Sequence, residues 1–175
     1  MNDPQPNEEQ SAAPPLDQTT FVSLIDDHRR LIMKVCWAYT STPDDRDDLL
    51  QDILSQLWAS FKNYDRRRPF STWMYRVALN VAIDSLRRKT RRREQTGVEE
   101  MPEFASPRDE TRQEQLLELH ELLDRQNEAD RAILLLFLEG QSYREIGGII
   151  GMTESNVGTR INRLKQTLKK STKSL

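Results

Sequence analysis

The sequence predicts an all-α protein built as two small helical domains joined by a flexible linker. Three observations carry that reading. Apolar residues recur at spacings of three and four through most of the chain, with no sustained β-branched alternation. Charged residues make up 31% of the 175 and glycines number only 6, which suits solvated helix faces better than an all-β sandwich or a doubly wound sheet. Between positions 94 and 112, Gly97, Pro102 and Pro107 stand among acids with no helical period, and so long an irregular stretch inside one compact domain is uncommon.

Residues 1–17 hold four of the eight prolines and few apolar groups, so a disordered tail is expected there. The first domain is expected over 18–93. Its first helix runs from about Thr20 to Tyr39, where Phe21, Leu24, Ile25, Leu31, Ile32, Val35 and Cys36 fall at helical spacing. Thr42 can cap the second helix and Pro43 suits its first position. Asp44, Asp45, Asp47 and Asp48 lie near the positive end of its dipole, and Leu50, Leu54, Leu57 and Trp58 carry it to about Phe61. After a connector from Lys62 to Pro69, Ser71 is expected to cap a third helix that ends near Arg93.

Beyond the acidic linker at 94–112, the second domain, 113–175, opens with Leu116, Leu119, Leu122 and Leu123. Asn127 is the expected cap of a helix from Ala129 to Leu138 that Gly140 stops. Ser142 and Glu145 form an S-x-x-E capping box for a short helix ending at Gly151, and Thr153 starts the last helix.

Composition narrows the function classes. The longest apolar run, Ala132 to Leu138, is far short of the roughly 20 residues a bilayer requires, and the acidic, Pro-rich start lacks the regions of a signal peptide. A cytoplasmic protein without membrane insertion is expected. The lone Cys36 and two distant histidines supply no Cys/His zinc set, so no metal or cofactor is expected. Cys36 lies on the apolar side of its helix, which makes it a poor redox switch. An enzyme acting on nucleic acid would need clustered carboxylates for a metal or an activated nucleophile. The run from Asp44 to Asp48 is better explained as a helix start, and no phosphate-binding glycine loop accompanies it, so no enzyme is expected.

The net charge of −2 conceals blocks of opposite sign. Residues 62–93 hold 11 basic and 2 acidic side chains and residues 156–175 hold 6 and none, whereas 1–61 hold 4 and 11 and 94–130 hold 3 and 12. Two separated basic surfaces point to two contacts with one polyanion. Six of the twelve aromatic residues lie from Trp58 to Tyr75, interleaved with Lys62, Arg66, Arg67, Arg68 and Arg76. On the third helix Trp73, Arg76, Asn80, Asp84, Arg87 and Arg91 recur at spacings of three and four, and bases with aromatics on one face suit single-stranded nucleic acid. Near the carboxy terminus, the short helix, the Gly151 turn and the basic helix have the layout of a helix-turn-helix. Val157, Ile161, Leu164 and Leu168 share one face, expected against Ile146 and Ile150, with Gly147 permitting close approach. Ser155, Thr159, Asn162 and Gln166 share the opposite face, flanked by Arg160, Arg163 and Lys165, as groove reading with phosphate anchoring requires. A helix-turn-helix transcriptional regulator that is no polymerase subunit is the alternative, but 20–93 shows neither the alternating strands nor the pocket of a sensor domain.

The stretches Asp48-Leu49-Leu50-Gln51-Asp52, Leu57-Trp58, Phe70 to Asn80 and Ala82 to Arg88 resemble the second conserved region of extracytoplasmic-function sigma factors of the sigma-70 family. The helix-turn-helix resembles their fourth region. The resemblance spans about 20–93 and 115–170 and implies a bacterial protein that binds core RNA polymerase, recognises promoter −35 and −10 elements and promotes melting. It also implies an anti-sigma factor as partner. Carried over by position, it assigns Asp48, Leu49, Gln51, Asp52 and Trp58 to the polymerase clamp. It assigns Tyr64, Arg66, Arg67, Arg68, Phe70, Trp73, Arg76 and Asn80 to the unpaired −10 strand. The −35 duplex falls to Ser155, Asn156, Gly158, Thr159, Arg160, Asn162 and Arg163. The acids Glu99, Glu100 and Glu103 of the linker are expected to thread a basic channel of the polymerase.

Overall fold

The computed structural model describes residues 15–96 and 110–172, and the described residues form seven α-helices. The linker acids Glu99, Glu100 and Glu103 lie outside the described residues, as does the tail up to position 14.

Helix α1 (Gln18–Tyr39) begins where the Asp17 carboxylate accepts a 2.9 Å hydrogen bond from the Thr20 amide. Leu16, just before the helix, packs against the core. Helix α2 (Pro43–Phe61) has the expected Thr42 cap and Pro43 opening, with Asp45 in its first turn turned to Lys89 of the third helix. Helix α3 (Phe70–Thr96) corrects an expectation. Ser71 lies inside the first turn, and the Pro69 carbonyl accepts from the Thr72 and Trp73 amides at 3.1 and 3.4 Å. The helix continues three residues past Arg93. These three helices pack on one another around Ile32, Val35, Ile53, Leu57, Met74 and Ala78, all fully buried. Cys36 is equally buried, and burial pushes its thiol up to about 11, which removes the reactive thiolate at neutral pH.

Helix α4 (Glu110–Asp124) and helix α5 (Glu128–Leu138) are joined by a turn in which the Asn127 side chain accepts from the Asp130 amide at 2.9 Å. Gly140, at φ 77°, turns the chain out of α5 in a conformation only glycine adopts freely. Helix α6 (Tyr143–Ile150) carries the complete capping box: the Ser142 amide donates to Glu145 Oε2 at 2.8 Å and the Glu145 amide donates to Ser142 Oγ at 3.3 Å. It ends at Gly151, φ 76°, and helix α7 (Glu154–Thr172) follows. Ile146 and Ile149 are buried under Val157, Ile161 and Leu164, whereas the expected Ile150 is only half-buried. Gly147 is required for a different reason from the expected helix approach. A Cβ there would sit 2.5 Å from the Met152 carbonyl oxygen, so it is the turn, and not α7, that leaves no room.

The α1–α3 module and the α4–α7 module touch, through α1 with α4 and α5 and through α3 with α6. Their junction caps the carboxy-terminal end of α1. The last carbonyls of α1 have no helical donor of their own. Across the junction, His120 Nε2 lies 2.9 Å from the Thr40 carbonyl and Arg131 Nη1 donates to the Ala38 carbonyl at 3.1 Å. Asp124 ties the two side chains together, 3.2 Å from His120 Nδ1 and 3.0 Å from Arg131 Nη2. In return Tyr39 donates its hydroxyl to the Glu128 carbonyl at 3.0 Å, beneath the Arg131 guanidinium.

The His120 site gives the junction a pH dependence. Burial by itself lowers the imidazole, but hydrogen bonds to Asp124 and to the Thr40 carbonyl, with the Asp124 charge, outweigh it and hold the group above the ordinary 6.5. A raised histidine contributes stability that is fully present below the unfolded value and is lost as pH rises through the folded one. Asp124 is penalised by burial but held below 3.8 by His120 and Arg131, so its contribution is lost only as pH falls through its lowered value. The thermal midpoint should therefore fall as pH is raised through and above the ordinary histidine value of 6.5, and His120→Gln, which cannot charge, should flatten that slope. An unchanged slope in the variant would exclude His120 as the source.

Candidate nucleic-acid interface

On the first module the structure gathers an aromatic platform at the start of α3. Tyr64, Phe70 and Trp73 are mutual neighbours with ring centroids 5.3 to 5.4 Å apart, and Phe61 backs them from the core. Tyr64 and Trp73 are half-buried and offer ring faces and edges. Phe70, only 7% exposed, packs with His28 and is a support for the other two instead of a stacking surface. Tyr75, counted with the interleaved aromatics, is core, since two residues along a helix turn it about 200° from Trp73.

The loop beside the platform holds its own shape. The Tyr64 hydroxyl donates to the Arg68 carbonyl at 2.7 Å, and Asp65 pairs with Arg67 through Nε at 2.9 Å and Nη2 at 2.9 Å. The Arg67 hydrogen bonds hold the Asp65 carboxyl below the usual carboxylate range. Arg66, Arg67 and Arg68 are all exposed, so a basic rim flanks the rings. Along α3, Asn80 is exposed. Arg76 points elsewhere: its Nε donates to the Ile149 carbonyl at 3.3 Å and its Nη2 to the Gly148 carbonyl, both at the carboxy-terminal end of α6.

On α2, Asp48, Gln51, Asp52 and Trp58 are exposed as the resemblance implies, with Asp52 3.5 Å from Arg88. Trp58 is 48% exposed and edge-on to Phe21 at 5.0 Å. Leu49 is a correction. It is 2% exposed, one helical turn before Ile53, and is spent on the core. Asp48 and Asp52 also border a cleft of about 1110 Å³ between the modules, with Lys89, Asn127 and Arg131 on its other walls.

On α7, Ser155, Asn156, Thr159, Asn162 and Arg163 are exposed in one row, as expected. Thr153 Oγ1 accepts from the Asn156 amide at 3.3 Å and opens the helix. Gly158 is half-buried beside the Tyr143 ring, which lies 3.5 Å from where its Cβ would stand, an ordinary contact distance. Arg160 is not available as a simple phosphate anchor, because its Nη1 is 2.8 Å from Asp130 of α5. Lys165 likewise lies over the Phe137 ring at 4.6 Å. Sequence reasoning missed Asp130, Tyr143, His120 and Arg131. Asp130 stands three residues after the Asn127 cap, and that spacing marks a first-turn carboxylate but not its partner on α7.

Family models of sigma-70 region 2 and sigma-70 region 4 match residues 24–92 and 112–168. The first covers the platform, α2 and α3, where a regulator would carry its sensor domain, and the second covers the helix-turn-helix. The chain is 26% identical to the ECF RNA polymerase sigma factor SigW of Bacillus subtilis, over 91% of its own length and 92% of that protein's. It is 29% identical to the RNA polymerase sigma factor SigV of the same organism, over 83% and 89% of the two lengths. Its fold is similar to that of CnrH solved with the cytosolic domain of CnrY, at a TM-score of 0.69, 22% identity and 90% coverage of both chains. It is also similar to the sigma factor RpoE solved with the anti-sigma factor NepR from Bartonella quintana, at a TM-score of 0.74, 19% identity and coverage of 89% and 98%. Two region models in the right order, together with full-length relatives of one kind, identify the chain as a member of the extracytoplasmic-function group of the sigma-70 family of RNA polymerase sigma factors.

Proposed function

We propose that this chain binds core RNA polymerase, recognises the −35 element as duplex through α7 and captures the opened −10 strand on the α3 module. The observation that carries the reading is the half-buried Tyr64 and Trp73 pair beside the exposed Arg66–Arg68 rim. Unpaired bases need a ring to stack on and cations for the backbone, and duplex recognition needs neither rings nor a pocket. In this reading Phe70 supports the platform, Asn80 contacts a base, and Asp48, Gln51, Asp52 and Trp58 meet the polymerase as an acidic and apolar stripe. Ser155, Asn156, Thr159 and Asn162 read the −35 groove while Arg163 attracts phosphate and Arg160 positions α7 through Asp130. The domains divide as a tail, a region 2 module, an acidic linker and a region 4 module. The chain works in the cytoplasm as a non-enzymatic initiation factor, and an anti-sigma protein covers its polymerase-facing surfaces. No helix among the described residues is long and apolar enough to cross a membrane.

Core polymerase should confer tight, specific promoter binding that the isolated chain lacks, because the acidic blocks at 1–61 and 94–130 oppose the approach of DNA until polymerase occupies them. Pull-down of core polymerase followed by promoter footprinting with and without it tests the reading. Equal promoter affinity in both cases would reject it in favour of a free-standing regulator.

A further inference from the structure

We infer that Asp130 and Phe137 of α5 are positioning residues for −35 recognition: they fix the roll of α7 about its own axis, and with it which base edges the exposed row meets. This rests on the −35 reading of α7 given above.

The apolar seam alone leaves that roll loosely set. Val157, Ile161 and Leu164 are buried where α7 packs on α5 and α6, but contacts between aliphatic side chains are non-directional. Hydrogen bonds and cation–ring contacts have preferred geometry, and α7 has one of them on each flank of the seam. At about 100° per residue, Arg160 stands about 60° to one side of Val157 and Lys165 about 80° to the other, while Ser155, Thr159 and Asn162 lie about 140 to 200° away. Arg160 Nη1 donates to Asp130 Oδ1 at 2.8 Å. Lys165 Nζ lies 4.6 Å from the centre of the Phe137 ring. Both partners belong to α5, so one helix holds α7 on both flanks of the seam.

Those partners are themselves fixed. Asp130 Oδ2 accepts from the Asn127 side-chain amide at 2.7 Å, and the Asp130 backbone amide donates to Asn127 Oδ1 at 2.9 Å, so the cap of α5 pins the carboxylate that α7 leans on. Phe137 is half-buried and packs with Tyr143 at a centroid distance of 6.3 Å. With side chains about 5 Å from the helix axis, a roll of about 10° moves a reading group by about 1 Å. Groove contacts need placement within about 0.5 Å. Losing a tie therefore blurs which base is read and leaves phosphate attraction by Arg163 as it was.

The test uses the reconstituted holoenzyme. Promoter fragments with a randomised −35 element are selected and sequenced, and affinity for the best sequence and its single-base variants is then measured across a range of salt. Asp130→Asn and Phe137→Leu should each reduce discrimination against single-base variants by about tenfold, with the salt dependence unchanged. Asp130→Glu, which keeps the acceptor, should retain most of the discrimination. Combining Asp130→Asn with Arg160→Gln should cost no more than the larger single change, because both remove the same tie. A merely structural role would lower the thermal midpoint of the isolated chain and leave discrimination intact, and that result would overturn the proposal. So would an Asp130→Asn chain that binds all −35 sequences more tightly with a steeper salt dependence, since Arg160 would then be a phosphate anchor that Asp130 restrains. The two ties use different residues, so if one variant does not fold the other decides. The reading beneath fails separately. If Asn162→Ala left the selected −35 preference unchanged, α7 would not read the element through this row, whereas a changed preference there beside intact discrimination in both α5 variants would strike the positioning role alone.

Discussion

Asn80→Ala in the reconstituted holoenzyme should depress promoter opening by roughly ten- to a hundredfold while leaving the −35 footprint in place, as expected for a base contact worth about 1 to 3 kcal/mol. Asn80 is exposed on α3 and the duplex-reading row lies on α7, so its loss removes a group from the proposed strand-capture surface and none from the duplex-reading row. The reciprocal change, Asn162→Ala, should relax sequence preference at one −35 position and leave melting on a strong promoter intact. Arg163→Ala should weaken all −35 sequences alike and reduce the salt dependence, the behaviour of a phosphate contact. Permanganate probing of unpaired thymines, combined with footprinting of each mutant holoenzyme, separates these outcomes. Loss of the −35 footprint with preserved melting in Asn80→Ala would mean that the two surfaces are assigned backwards.

Arg131→Ala should cost about 1 to 3 kcal/mol of stability, the usual effect of leaving a buried carbonyl without its donor, since the Asp124 carboxylate is 42% exposed and can be solvated. The side chain is 5% exposed and spans three groups: the Asp124 carboxylate, the Ala38 carbonyl and the Tyr39 ring. Its removal leaves the Ala38 carbonyl without that donor and leaves Asp124 to His120 alone. Urea unfolding measures the loss, and the penalty should grow above the raised histidine value, where the neutral imidazole no longer balances Asp124. A loss below about 1 kcal/mol would show that the junction relaxes freely and that Arg131 is dispensable to it.

The parts of this structure that were legible in the sequence are those with local causes. Thr42, Asn127 and Ser142 were recognisable as caps because the donating amide lies three residues away on the same chain, and each caps as expected. The exposed row on α7 was legible for a similar reason, since a single helix fixes which side chains share a face. Errors arose where a second element decides. Leu49 and Leu50 both fit a helical spacing, and only the position of α1 and α3 settles that Leu49 goes inside. Arginines were the least legible. Long side chains with five donors take whichever acceptor the fold brings near, and the acceptors of Arg76 and Arg160 come from 72 and 30 positions away. The junction network of His120, Asp124 and Arg131 left no periodic trace, because only the docking of the modules creates it.

The three tryptophans are distributed so that each reports on a different event. Trp37 stands edge-on to the His120 ring at 5.1 Å, Trp58 projects from the stripe proposed to meet polymerase, and Trp73 belongs to the ring platform. A charged imidazole quenches the emission of an adjacent indole, so Trp37 fluorescence should brighten when the modules part or the histidine deprotonates. Trp58 should shift to shorter wavelength on leaving water, and Trp73 should dim when a base stacks on it. Single-tryptophan versions of the chain would thus follow separation of the modules, polymerase docking and strand capture as three optical signals with no added label, and their order in a stopped-flow mixing experiment would give the sequence of steps directly.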